Sequence, residues 1–173
     1  MLIYIEKLTR SHAKALFHFE VANRSFFETM VPSRGESYYE WNVFLKKLDS
    51  LLKEQKEKEA YYYLIMEKAG TIVGRINIVL DTTASTGDLG YRIGQDYTRK
   101  GLAKRAVETL LKEKHVAELE RITAKTTSSH IASQKVLERN GFIYVKTDPV
   151  AFYFRGNKEN FVHYELVKGE RLK

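Results

Sequence analysis

The sequence predicts an α/β (α+β) fold in which a mixed, mostly antiparallel sheet of about seven strands is flanked by four helices. Three observations carry that expectation. Helical and strand periodicities succeed each other in the order β-α-α-β-β-β-α-β-α-β-β. The aromatic and branched run Tyr61 to Glu67 leads through Ala69-Gly70 into Thr71 to Leu80, which is a hairpin signature. Finally, a strand ending near Ile93 is followed by a loop and by a strongly amphipathic helix opening at Gly101.

Taken in order, Leu2 to Leu8 forms the first strand, and Ser11 offers a side-chain cap to a helix bearing Ala15, Leu16 and Phe19. Ser37 and Glu40 stand at capping-box spacing ahead of Trp41, Phe44, Leu45, Leu48 and Leu52, which predicts a long second helix; its charged tail, Lys53 to Glu59, is a solvated last turn and linker. After the hairpin and a polar stretch from Asp81 to Gly87, Asp88 to Ile93 forms a further strand. Gly101 to about Leu119 forms the third helix, with Leu102, Ala103, Ala106, Val107, Leu110 and Leu111 on one face. Arg121 to Thr126 is a strand and Ile131 to Arg139 a helix stopped by Asn140-Gly141; Phe142 to Lys146 and Phe161 to Val167 close the sheet.

The 173 residues, 43% of them hydrophobic, suffice for one core and suggest a single domain over 1–173. No apolar run nears the roughly twenty residues of a membrane span, and Glu6 and Lys7 interrupt any secretory leader, so a cytoplasmic, non-membrane protein is expected. The absence of cysteine excludes disulfides, thiolate metal sites and a cysteine nucleophile. A net charge of +7 suits nucleic acid, acidic protein or a phosphorylated ligand, or merely a basic surface. No nucleic-acid-binding signature accompanies it, and Tyr61-Tyr62-Tyr63 is explained by strand propensity.

The charge has one local concentration. Arg99, Lys100, Lys104 and Arg105 crowd the start of the third helix, where the dipole disfavours cations unless an anion is present. Gly101 allows close backbone approach and Ala103 keeps the first turn narrow, so unpaired N–H groups can receive phosphate. Tyr97-Thr98-Arg99-Lys100-Gly101-Leu102-Ala103 resembles the acetyl-CoA loop of GNAT acetyltransferases, with Thr98 where that family has Gln or Arg. Ser133 to Phe142 resembles the late helix and exit of the RimJ/RimL branch, with His130 in place of the usual Asn and Ser133 retained. The resemblance extends from Leu2 onward and includes Gly87 to Gly94 as the central strand.

The resemblance implies the GNAT fold and acetyl-CoA as cosubstrate, held by Thr98, Arg99, Lys100, Gly101, Leu102, Ala103 and Lys104. It also implies a splayed pair of central strands, with the pantetheine arm pairing on Tyr91, Arg92 and Ile93. Direct aminolysis then needs a route for the amine's proton and a donor for the thiolate. Ser133 is the leading candidate donor; its alternative is a hydroxyl satisfied within its own helix. His130 can exchange a proton near neutral pH or be only a helix-start residue. Asp88, Glu28 and Glu40 are candidate bases or ammonium-binding acids, although Asp88 also suits a turn and Glu40 a capping box. No metal is expected. The expected acceptor is a protein or peptide N-terminus, against a polyamine or aminoglycoside, or a non-catalytic acyl-CoA-binding role; a homodimer is left open.

Overall fold

The computed structural model describes residues 1–81 and 83–168; residue 82, in the expected polar connection, and the last five residues of the expected domain lie outside it. Seven strands form one sheet: β1 (Ile3–Lys7), β2 (Ala60–Glu67), β3 (Ile72–Asp81), β4 (Thr86–Ile93), β5 (Arg121–Thr127), β6 (Ile143–Thr147) and β9 (Phe161–Val167), in the order β1-β2-β3-β4-β5-β9-β6. The helices are α1 (Ala13–Ala22), α2 (Arg24–Phe27), α3 (Trp41–Lys56), α4 (Leu102–Leu110), α5 (Lys114–Ala117) and α6 (Ile131–Glu138). The expected sheet and its four main helices are therefore found, with α2 and α5 as short additions.

Period-two alternation divides the core between the two faces of the sheet. Ile65, Ile76, Ile78 and Ile122 meet Ala106, Val107 and Leu110 of α4 and Leu137 of α6 on one face. Tyr62, Leu64 and Met66 meet Leu16 and Phe19 of α1 and Phe44 and Leu48 of α3 on the other. Every neighbouring pair is antiparallel except β4 and β5, which run parallel and touch only through Thr86–Arg121, Gly87–Ile122 and Asp88–Thr123. Beyond that rung β4 pairs only with β3 and β5 only with β9, so the sheet opens into a cleft.

Three local expectations are corrected. Ser11 does not cap α1: the chain enters through a 3-10 turn at Arg10–His12, closed by Thr9 N–H donating to His12 Nδ1 at 3.1 Å. Ser37 and Glu40 form no capping box, because Ser37 lies inside a second 3-10 turn (Glu36–Tyr39) and the Glu40 side chain caps nothing. The helix from Gly101 to Leu119 is broken at Leu111–Glu113. Continuing the Leu102, Ala106, Leu110 stripe would point Lys114 at the core, whereas the break turns Val116 inward, where it is wholly buried.

The predicted left-handed stop after α6 is present: Gly141 has φ +85°, and Phe142 N–H returns to Leu137 O at 3.2 Å. Between β6 and β9 the expected connection contains a separate hairpin, β7 (Phe152–Phe154) and β8 (Asn157–Glu159). Arg155 at its tip reaches the backbone oxygen of Glu28, so the hairpin leans over the loop that leaves α2.

Candidate active site

The loop from Gly94 to Gly101 is anchored at its start and open at its end. Gln95 N–H donates to Asn23 Oδ1 at 2.8 Å, and Thr98 Oγ1 donates to Gln95 O at 2.9 Å. Thr98 thus closes its own turn. Arg99 and Gly101 both take left-handed backbone, at φ +59° and +72°, an arrangement costly for the arginine and free for the glycine. A Cβ built on Gly101 has nothing within 4 Å. The first helical hydrogen bond of α4 is Arg105 N–H to Gly101 O at 3.3 Å, so the N–H groups of Leu102, Ala103 and Lys104 have no acceptor within the helix. Open backbone donors, a dipole end and the exposed cations Arg99, Lys100 and Lys104 fit a polyanion.

At the cleft, Ser133 of α6 faces the central strand. Its Oγ lies 2.9 Å from the Tyr91 hydroxyl, which also donates to Ser133 O at 3.3 Å. Burial pushes the Tyr91 phenol up to about 12, and the bond with Ser133 offsets that only in part, so Tyr91 stays protonated through the neutral range. The sequence marked Tyr91 for its backbone alone; its hydroxyl was missed, since only the folded sheet brings residue 91 to residue 133. His130 precedes α6, with Nδ1 3.5 Å from Thr126 Oγ1, and burial lowers its pKa. Asp88 accepts from Thr123 Oγ1 at 2.8 Å and so ties the last rung before the strands part.

On the opposite face a cavity of about 580 Å³ lies between α3 and the sheet and reaches the free stretch of β4 at Gly90, Tyr91 and Arg92. Arg34, Arg75 and Lys47 also line it; Glu28 and Glu40 do not. Glu28 is instead held by Arg24 at 3.1 Å and Ser33 at 2.6 Å, which keep its carboxyl below the usual range. Beneath the cavity is Glu20, with 0% of its side chain exposed. It pairs with Arg75, and its Oε2 lies 3.3 Å from Arg34 and 3.6 Å from Arg92. Burial alone would raise this carboxyl, but the guanidinium groups of Arg75, Arg34 and Arg92 outweigh burial and hold it ionised. Glu20 was also missed, although a carboxylate four residues after Leu16 on the apolar side of α1 was a usable signal.

The profile of the acetyltransferase (GNAT) domain matches residues 3–143. The chain belongs to the GNAT acetyltransferase family. Membership makes it an N-acetyltransferase with acetyl-CoA as acyl donor. Probable N-acetyltransferase YjcK of Bacillus subtilis is 24% identical over 144 residues, 81% of this chain and 80% of that protein. Among solved structures, the ribosomal-protein-S5-alanine acetyltransferase of Vibrio fischeri superposes with a TM-score of 0.87 at 22% identity, over 97% of this chain and 94% of that one. RimL, a ribosomal L7/L12 α-N-protein acetyltransferase determined with coenzyme A, gives 0.84 at 18% identity, over 95% and 93%. These similarities place the GNAT fold on the whole described sheet. Among the described residues no group of three His, Asp or Glu side chains is arranged to hold a metal.

Proposed function

We propose that this GNAT enzyme acetylates the α-amine at the N-terminus of a protein or peptide. The observation that carries the reading is the acceptor-side cavity, which adjoins the free edge of β4 and is lined by cations with no carboxylate among the described residues that line it. Such walls disfavour an ammonium ion and offer no strong base. They suit an amine of which an appreciable fraction is already neutral. An α-amine has a pKa of about 7.7–8.0 and a lysine amine about 10.4, a difference of more than two orders of magnitude in neutral nucleophile at pH 7. The named substrates of the similar solved structures, ribosomal proteins S5 and L7/L12, point the same way.

In this reading, the backbone of Gly101 to Lys104 with Arg99 and Lys100 holds the pyrophosphate, and the unpaired side of β4 at Tyr91 to Ile93 receives the pantetheine amides as an added strand would. Acetyl-CoA supplies an activated thioester whose sulfur leaves as a thiolate. Tyr91 and Ser133 form the proton-donating pair for that sulfur: the phenol is protonated at neutral pH, and the serine hydroxyl aligns it. Asp88 holds the strands at their fork and is a positioning residue here; the His130 ring makes no cap to α6 and lies beside Thr126.

Peptides of free and blocked N-terminus, each containing an internal lysine, should be incubated with enzyme and acetyl-CoA and sequenced by mass spectrometry. Acetyl on the free α-amine alone is the expected result. Modification only of lysine side chains, or turnover only with polyamines or aminoglycosides, refutes the reading.

A further inference from the structure

Three guanidinium groups, those of Arg34, Arg75 and Arg92, converge on the single carboxylate of Glu20, and Lys47 adds a fourth cation to the same cavity. One buried negative charge cannot balance three positive ones. The surplus is partly withdrawn from water: the side chains of Arg75 and Arg92 are 13% and 23% exposed, that of Arg34 30%. Such crowding of like charges is unfavourable unless the cavity receives an anion. Some cationic faces are already occupied by aromatic rings, with Arg34 over Tyr38 at 4.6 Å and Arg92 over Phe27 at 4.9 Å. Of the five N–H donors each guanidinium carries, Arg34 spends one on the Tyr38 hydroxyl and Arg75 one on Glu20, which leaves in-plane donors over for an oxygen ligand. Arg92 is also a residue of β4 itself, two positions after Gly90, so the cations begin where the reacting amine must arrive.

We propose that the cavity selects acceptors bearing a carboxylate beside the reacting amine, supplied by an aspartate or glutamate within the first two residues of the acceptor peptide. This deepens the N-terminal reading and rests on it. A fork of arginine donors recognises a carboxylate in two-point fashion, and the neutral wall residues Ser37, Tyr38 and Asn77 leave room for a variable side chain. An internal base is not needed for recognition. The carboxylate instead anchors the peptide so that its α-amine is delivered to the fork of β4 and β5.

The test compares kcat/KM for hexapeptides that differ only at residue two, Glu against Gln and Asp against Asn, with a phosphoserine peptide as a third arm. The acidic peptides are expected to be better by about tenfold or more, mainly through KM, which is the size of one charge-assisted hydrogen bond. Lys47→Gln and Arg34→Gln should each narrow the gap, and Lys47 is a surface side chain whose replacement leaves the fold intact. Equal kcat/KM for acid and amide peptides overturns the inference while the N-terminal reading stands. A gap that neither variant narrows also overturns it, as does acceleration confined to phosphoserine. Absence of acetylation on every peptide overturns the N-terminal reading, and this inference with it.

Discussion

Replacing Glu20 by glutamine keeps the side-chain shape, so no cavity is opened, and removes the only carboxylate among the described residues that binds Arg75, Arg34 and Arg92. At the observed separations of 3.3 and 3.6 Å, each charge contact is worth about 5 kcal/mol at an effective dielectric constant of about 20. Desolvation of the carboxylate offsets much of that sum, and removal of one partner from a buried ion pair costs about 3–5 kcal/mol in practice. Glu20→Gln is therefore expected to lose about that much stability, roughly 6–20 °C in Tm for a chain of this size. Urea unfolding at pH 7 measures it, with an unchanged m-value showing that the unfolding transition is the same. The pH dependence supplies the sign. The folded-state carboxyl titrates below its ordinary range, so its contribution is fully present above the unfolded pKa, about 4.3, and is lost as pH falls through the folded value. Wild type and variant should converge in stability at acid pH. A loss below about 1 kcal/mol at pH 7, or a difference that persists unchanged into acid, refutes the assignment of Glu20 as the counter-ion of the three arginines.

Three further outcomes follow from the site. Gly101→Val should cost about 1–2 kcal/mol through its left-handed backbone and abolish the rise in Tm that acetyl-CoA gives wild type, while a folded variant that keeps the full rise removes Gly101 from the phosphate cradle. Tyr91→Phe and Ser133→Ala should each lower kcat on the order of a hundredfold with little change in acetyl-CoA affinity, the signature of a donor acting in the transition state; an unchanged single-turnover rate in both excludes the pair. Asp88→Asn keeps an acceptor for Thr123 Oγ1 and should retain turnover, whereas collapse of kcat in that variant would make Asp88 the base instead.

The sheet was legible because strand and helix periods in this chain rarely compete. Tyr61 to Glu67 and Ile72 to Leu80 carry branched and aromatic residues with a glycine between them, and Leu102 to Leu110 carries a clean apolar stripe. What failed was local. Ser11, Ser37 and Glu40 have the residue types of caps, but 3-10 turns hold Ser11 and Ser37, Glu40 immediately precedes α3 without a side-chain cap, and only tertiary packing of Tyr38 and the turn at Thr9 decides where the helices begin. The break after Leu110 was foreshadowed by Lys114, which falls on the stripe where an apolar residue was required.

The candidate cofactor loop was legible because its chemistry is contiguous: glycine, alanine and four cations lie within seven residues, and the folded chain adds only their backbone geometry. The proposed acceptor side was not, because it is assembled from one residue each of distant segments. Glu20 comes from α1, Arg34 from the following loop, Lys47 from α3, Arg75 from β3 and Arg92 from β4. No spacing links them, and Glu28 and Glu40, which look available in sequence, face other partners or solvent. On the proposed reading, the acceptor site is cationic where the sequence suggested acidic residues. An acidic pocket would draw in a protonated amine and then need a base to release it; on the proposed reading the cationic cavity disfavours the ammonium form and leaves proton removal to solvent at a nucleophile of low pKa. If the cavity receives the acceptor as proposed, lysine side chains, protonated at neutral pH, are disfavoured both at entry and at attack, and the same arginines that hold Glu20 would select for the α-amine.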